Sequence, residues 1–513
     1  MLRAVFDREA AMEDLGRAKL GHQARTKRLV HTAGLLAREA AGRSLPDRLP
    51  NRADYEGALN LANHPAVTHR AILQPHYEAT RRRMLACPGV VLNISDLTEL
   101  DYSGLRVACL GPIGNGHGKG FECHNSLALD PATGDFLGLT SQILHVRDTD
   151  LQVQAGAAPA PREAAAPAAG RAAKPKGKGR RAGEPDAARH QRQSRESRLW
   201  VEGSAALGDV PEGRLWVDVC DRASDTFEYL QFMARGRRYH VIRSRHNRAL
   251  GDAGGAEPEA GPGLEAEPEG GGPPRRLHDL LRSLPGVMSW QVELSANKGQ
   301  PARVATVQMA WGQVRVKAPE DYQGQDKESL RVWAIRVWEP DPPEGVKEPL
   351  EWLLLTNVQV RTDEQARERV GWYEWRPAVE EFHKAQKTGM AIEGLQLQSR
   401  AGLEPLIGLL SVLAVTLVNL RQQARQPEAA SRPAREVVDP LWVEVLSVWR
   451  HGSARDLSLR QFVLDLASLG GYMNRRRDAW PGWIVLWRGL TKLLHMVQYE
   501  LARGKSPQSS PEL

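Results

Sequence analysis

Two stretches of this sequence cannot bury enough apolar surface to order themselves, and they limit how the rest can fold. One, about residues 154–193, is dominated by Ala, Pro, Gly, Lys and Arg; the other, about 251–275, by Gly, Pro and Glu. The first is expected to be a disordered insertion, the second a low-complexity linker. The cluster Lys174, Lys176, Lys178, Arg180 and Arg181 in the first reads equally as a solvated linker or as added non-specific attraction for DNA.

The rest of the chain is patterned. Residues 1–80 read helical, with Leu29, Ala33 and Leu36 at helical spacing after Arg25, Lys27 and Arg28. Residues 90–94 form a short strand-like run ending at Ser95-Asp96. Strands over 121–129 and from 136, with a turn at 131–135, complete a three-strand meander. Residues 215–220 form another such run, ending in Asp221; a helix over 226–234 and a strand over 239–243 follow. Three β-rich segments (288–295, 303–316, 330–337) precede a strand over 352–360 and a helix carrying Glu380. From about 400 the chain reads helical again.

This order predicts an α/β protein with a ribonuclease-H-like core. The expected units are a helical N-terminal region (1–80), a first core part (81–250), a linker with a β-rich insertion (251–345), a second core part (346–400) and a helical C-terminal region (401–513). A chain of 513 residues is long enough for two to four domains.

Lys and Arg number 69 against 62 Asp and Glu, a net charge of +7, which suits a nucleic-acid partner without demanding one. The 14 Trp divide between core and stacking roles. Four scattered cysteines without a C-x-x-C pair argue for a reducing compartment. The charged N-terminus shows no signal peptide, and the apolar run 406–418 reads as a buried helix, shorter than a membrane span. A cytoplasmic, soluble protein is expected.

Phosphodiester cleavage and transfer can use two divalent ions held by carboxylates on fixed backbone. Asp96 and Asp221 each end a strand-like run, and Glu380 would come from a helix beside the sheet. A lone Asp after a strand is more often a turn or cap residue, so the combination carries the weight. Arg376, Glu380, Lys384 and Lys387 fall at helical spacing on one face, either a metal-binding acid among phosphate-holding cations or an exposed, salt-bridged surface. Pro377 sets the helix start near Arg376 and leaves Tyr373 outside it or across a kink.

These residues resemble the insertion-sequence-four group of bacterial DDE transposases. Tyr373, Arg376, Glu380 and Lys387 match its Tyr-x2-Arg-x3-Glu-x6-Lys signature. Asp96-Leu-Thr98-Glu-Leu100-Asp-Tyr102 and Cys220-Asp221-Arg222-Ala223 are similar to the segments bearing its first two acids. Arg243-Ser244-Arg245-His246, Trp352-Leu-Leu-Leu-Thr356, Leu469-Gly470-Gly471-Tyr472 and Trp483 through Trp487 extend the likeness, in order, over most of the chain.

The resemblance implies a ribonuclease-H-like core whose Asp96, Asp221 and Glu380 bind two Mg²⁺ ions, with Mn²⁺ as substitute. Tyr373, Arg376 and Lys387 would hold the DNA backbone near a flipped base, Trp352 would stack on that base, and Arg243 would contact a phosphate. Lys384 and Arg245 are further candidate DNA contacts, with Arg25 and Arg28 in the N-terminal region. Trp352 reads equally as core by its residue type alone. The implied activity is cut-and-paste transposition of double-stranded DNA, through a hairpin intermediate, by a homodimer acting on terminal inverted repeats and target DNA. The alternative is a DNA-binding relic or inhibitor that no longer cuts, since His22 and Ala24 replace an acid and an arginine of the N-terminal segment.

The run Gly114-Asn-Gly116-His-Gly118-Lys-Gly120 fits neither common phosphate-loop pattern and reads as a hairpin loop. Cys109, His117, Cys123 and His124 have no recognised zinc spacing.

Overall fold

The computed structural model describes residues 8–38, 44–49, 51–114, 116–147, 196–251, 276–294, 302–322, 324–346, 348–475, 478 and 480–503. The insertion at 154–193, and all but the first residue of the 251–275 stretch, lie outside the described residues.

The chain opens with helices α1 (Arg8–Leu15), α2 (Gln23–Arg38), α3 (Leu45–Arg48), α4 (Arg52–Ala62) and α5 (His69–Ala86). Leu29, Ala33 and Leu36 of α2 are fully buried, as their spacing predicts. Asn51 and Thr68 cap α4 and α5 by accepting from backbone N–H groups of the first turn.

Strands β1 (Val91–Asp101), β2 (Gly111–Ile113), β3 (Gly118–Leu129) and β4 (Phe136–His145) form the expected meander, with β2 as an added short strand. Helix α6 (Leu199–Leu207), strand β5 (Trp216–Cys220), helix α7 (Phe227–Ala234) and strand β6 (Tyr239–Arg243) follow. Then come α8 (Leu277–Ser283), β7 (Met288–Leu294), β8 (Arg303–Val316), β9 (Leu330–Trp338) and β10 (Glu351–Thr356). Helices α9 (Asp363–Glu374), α10 (Ala378–Lys384), α11 (Arg400–Arg425), α12 (Pro440–His451), α13 (Leu459–Leu469) and α14 (Trp483–Arg503) complete the described chain.

All ten strands join one sheet, ordered β2-β3-β1-β5-β6-β10-β9-β8-β7, with β4 also paired to β3. The β1–β5 and β5–β6 pairs are parallel and the others antiparallel. The protein is thus mixed α/β. The segments expected as a β-rich insertion join the core sheet: β10 pairs with β9 along the whole of β10, so β7, β8 and β9 widen that sheet.

Strand residues alternate between two apolar layers, as a period of two requires. Val219, Val241, Leu354 and Ile335 face one layer, with Val370, Phe382 and the C-terminal helices. Cys220, Ile242, Leu355 and Ala334 face the other, with Trp200, Tyr229, Leu230 and Leu281. Helices α9, α10 and α11 therefore cover one face, and α6, α7 and α8 the other.

Two expectations change. Strand β1 runs on to Asp101, well past residue 94, because its polar second half still pairs with β3 through backbone hydrogen bonds that do not depend on side-chain polarity. Helix α11 extends beyond the apolar run on both sides and is long and apolar enough to cross a membrane, but 89% of its most apolar window is buried inside the protein. Nearby, α13 and α14 cross almost backbone to backbone. A Cβ on Gly489 would lie 1.8 Å from the Leu466 carbonyl oxygen, and one on Gly470 the same distance from that of Val485.

Candidate active site

Parallel pairing brings the first two acids together. Ser95 of β1 is in register with Cys220 of β5, so Asp96 and Asp221, the next residue in each segment, are neighbours across the two strands. Asp96 lies in the middle of β1, not at its end as the short apolar run predicts. Asp221 follows β5 and caps a short turn, its Oδ1 accepting from the Ala223 N–H at 2.9 Å. The ordinary role of an Asp after a strand is therefore real here, and it leaves Oδ2 free for another partner.

That partner is Arg376, which meets all three acids. Its Nη2 lies 2.9 Å from Asp96 Oδ2 and 3.9 Å from Asp221 Oδ2, while its Nη1 donates to Glu380 Oε1. Burial pushes the Asp96 carboxyl up to about 6; Asp221 and Glu380 push the same way and Arg376 opposes them. For Arg376, burial works against the charged form, but the three carboxylates outweigh it and raise its pKa.

The local chain explains why Arg376 is free to do this. Helix α9 ends at Glu374 and α10 begins at Ala378, with Pro377 as its N-cap. A proline has no N–H to continue the ladder. Arg376 sits in the break, its own N–H donating to the Tyr373 carbonyl at 2.9 Å. Tyr373 belongs to the last turn of α9, across the kink.

The cationic face expected of Arg376, Glu380, Lys384 and Lys387 is divided. Lys384 pairs with Glu381 at 2.8 Å and Lys387 approaches Glu393 at 3.5 Å. After α10 the chain makes one π-helical turn over Ala385–Gly389, with Met390 N–H donating to the Ala385 carbonyl at 2.7 Å. That extra residue per turn rotates Lys387 away from the face that spacing assigns it.

Other expected contacts gather beside the triad. Tyr373 is buried, and Trp352 meets it edge-on with ring centres 5.3 Å apart. Burial pushes the Tyr373 hydroxyl up to about 12, Arg243 and Arg376 acting against it and Asp221 with it, so all three lie within its field. Arg243 pairs across the sheet with Leu354, two residues from Trp352, and donates to the Glu351 carbonyl at 2.8 Å. Thus Asp96, Asp221, Arg376, Glu380, Tyr373, Arg243 and Trp352, from separate parts of the chain, form one cluster.

Three expected DNA contacts lie elsewhere. Arg25 donates to the Leu20 carbonyl at 2.7 Å and Arg28 pairs with Asp54 at 3.1 Å, both within the N-terminal helices. Arg245 is exposed in the loop after β6. Buried Asp225, to which the sequence reading gave no role, shapes that loop: its Oδ2 accepts from the N–H groups of Arg245 (2.6 Å) and His246 (3.0 Å), and its Oδ1 from Arg248 (2.6 Å). Burial raises its pKa, but Arg248 and the two N–H groups hold it below the ordinary value. Exposed Arg222, directly after the second acid, also acts on Arg243 and Tyr373, and the sequence reading gave it no role either. Its sequence signals are adjacency to Asp221 and its place in the segment similar to the family's second-acid motif.

The glycine-rich run forms the turn between β2 and β3, as expected, with Gly114 N–H donating to Glu99. Among the described residues, no three His, Cys, Asp or Glu side chains stand in a metal-holding arrangement; the triad is gathered around a guanidinium instead. Its donor chemistry still suits a hard divalent cation, because all three groups are carboxylates.

No family model matches the chain. Among solved structures, it aligns with one described as a piggyBac transposase synaptic complex with hairpin DNA, at 10% identity and a TM-score of 0.34, covering 100% of this chain and 84% of that one.

Proposed function

We propose that this protein is a DNA transposase of the DDE type with a ribonuclease-H-like core, cutting and rejoining phosphodiester bonds at Asp96, Asp221 and Glu380. The observation that carries the reading is that one guanidinium pairs with Asp96 of β1 and Glu380 of α10 and lies 3.9 Å from Asp221 at the end of β5, drawing three carboxylates together. Asp96 and Asp221 are partly buried and Glu380 is exposed at the rim, so the cluster opens to solvent; acids gathered in this way around one charge mark functional sites. The signature resemblance supports the same three residues.

Asp96, Asp221 and Glu380 would hold two Mg²⁺ or Mn²⁺ ions. When bound, such ions activate an attacking oxygen and stabilise a leaving one. The protein's own residues do the positioning. Strands β1 and β5 fix Asp96 and Asp221 on rigid backbone, and the Asp221 cap locks one of its oxygens. Arg243, with Arg222 at the rim, attracts the DNA backbone. Trp352, braced edge-on by Tyr373, offers a face for an extruded base.

The finer reading follows the resemblance: cut-and-paste transposition through a hairpin intermediate, by a cytoplasmic homodimer that pairs terminal inverted repeats and joins the freed 3′ ends to target DNA. The test is cleavage by purified protein of DNA carrying the element's own termini, with Mg²⁺, beside Asp96→Asn and Glu380→Gln. The reading expects both variants to bind ends and to cut on the order of 10³-fold more slowly. Cutting at the wild-type rate by either one removes the site assignment. End binding by wild type without any Mg²⁺-dependent product identifies a non-cutting relic.

A further inference from the structure

The acid triad carries its own counter-ion. Arg376 is mostly buried, and its two terminal nitrogens reach Asp96, Asp221 and Glu380 together. Among the described residues no other cation pairs with these acids, since Lys384 and Lys387 are turned to Glu381 and Glu393. A guanidinium has only N–H donors and cannot share a metal's coordination shell as a ligand. It occupies one oxygen each of Asp96 and Glu380 and stands 3.9 Å from Asp221 Oδ2, in the space a divalent cation would need, and its charge repels that cation at close range. Arg376 sits in the break between α9 and α10, so its side chain can leave the triad without unwinding either helix.

We propose that Arg376 is an internal plug: it holds the triad closed in the DNA-free protein and must be displaced before a divalent cation can bind there. The inference rests on the metal-dependent reading above and adds a regulation to it. Once displaced, the guanidinium is available to a DNA phosphate. Linkage then makes the effect reciprocal: a phosphodiester that draws Arg376 away tightens cation binding, and a bound cation favours the arginine's release toward DNA. The site opens where both substrate and metal are present. In free protein the closed state lowers the apparent affinity for metal in proportion to the fraction open.

The experiment is Mn²⁺ binding to the full chain without DNA, measured by the electron paramagnetic resonance of free Mn²⁺. Wild type is compared with Arg376→Gln and with Asp96→Asn/Arg376→Gln. The plug predicts roughly ten-fold tighter Mn²⁺ binding by Arg376→Gln, within the usual range of coupling between sites, and loss of that gain in the double variant. Thermal melts provide a second readout: Arg376→Gln should melt lower than wild type in EDTA and gain more from Mn²⁺. If it does not fold, Arg376→Lys, whose single ammonium cannot fork across three carboxylates, should show an intermediate gain. Equal or weaker Mn²⁺ binding by the variants overturns the plug and leaves the metal-dependent reading standing. No Mn²⁺ binding by any of the proteins overturns both.

Discussion

Arg48, buried at the end of α3, donates from Nη1 to the Met390 carbonyl at 2.9 Å, tying the N-terminal helices to the turn that follows the Glu380 helix. Its Nη2 also donates to the Leu36 carbonyl at 3.2 Å. Burial lowers its pKa to about 10, so it stays charged at neutral pH. Arg48→Met should cost about 2 kcal/mol, the range for buried donors to carbonyls. Urea unfolding measures the loss, and limited proteolysis should cut first within residues 8–62. An unchanged midpoint and cleavage pattern would show that this contact does not couple the two regions.

Arg222 is exposed beside the triad, so its removal should not disturb the fold. Arg222→Ala should weaken DNA binding about uniformly across sequences and reduce the slope of log affinity against log salt by about 1. Binding titrations over a salt series test this. A slope equal to wild type would place the DNA path elsewhere.

Gly489→Ala puts a methyl group into the α13–α14 crossing, where the Leu466 carbonyl leaves no room. Overpacking of this kind costs about 1–3 kcal/mol. Gly34→Ala in α2, where nothing lies within 4 Å of the added Cβ, should instead stabilise by about 0.5–1 kcal/mol. Melting curves of the two variants should shift in opposite directions; a shared direction contradicts the crossing geometry.

His124 and His240 are fully enclosed, and burial drives both to about 3 from an ordinary 6.5. Their neutral forms are favoured in the folded protein, while the unfolded chain binds protons below pH 6.5. Their contribution to stability is therefore complete above about 6.5 and is lost as pH drops toward 3. Between pH 7.5 and 4.5, the melting temperature of His124→Leu/His240→Leu should fall less, or rise more, than that of wild type. An identical pH dependence in the double variant would show that these two histidines do not carry the effect.

Much of the architecture was legible in the sequence because local patterns report burial directly. The α2 stripe and the two-residue alternation along β5, β6 and β10 follow from which side chains must leave water. The identities of Asp96, Asp221 and Glu380 came from a resemblance over short motifs. The apolar pattern marks only the first half of β1, because its second half is held by backbone pairing with β3, which leaves no apolar signature. The helical spacing of Arg376, Glu380, Lys384 and Lys387 promises one face, yet Lys384 pairs with Glu381 and the π turn carries Lys387 toward Glu393, leaving only Arg376 with Glu380.

The sequence by itself determined the elements, their order and the candidate acids, since each depends on neighbours along the chain. Only the tertiary structure decided that β7, β8 and β9 extend the core sheet, and that Arg376 rather than a lysine meets all three carboxylates. Both depend on contacts between residues far apart in sequence. Strand register and helix breaks set those distances, and no local pattern encodes them.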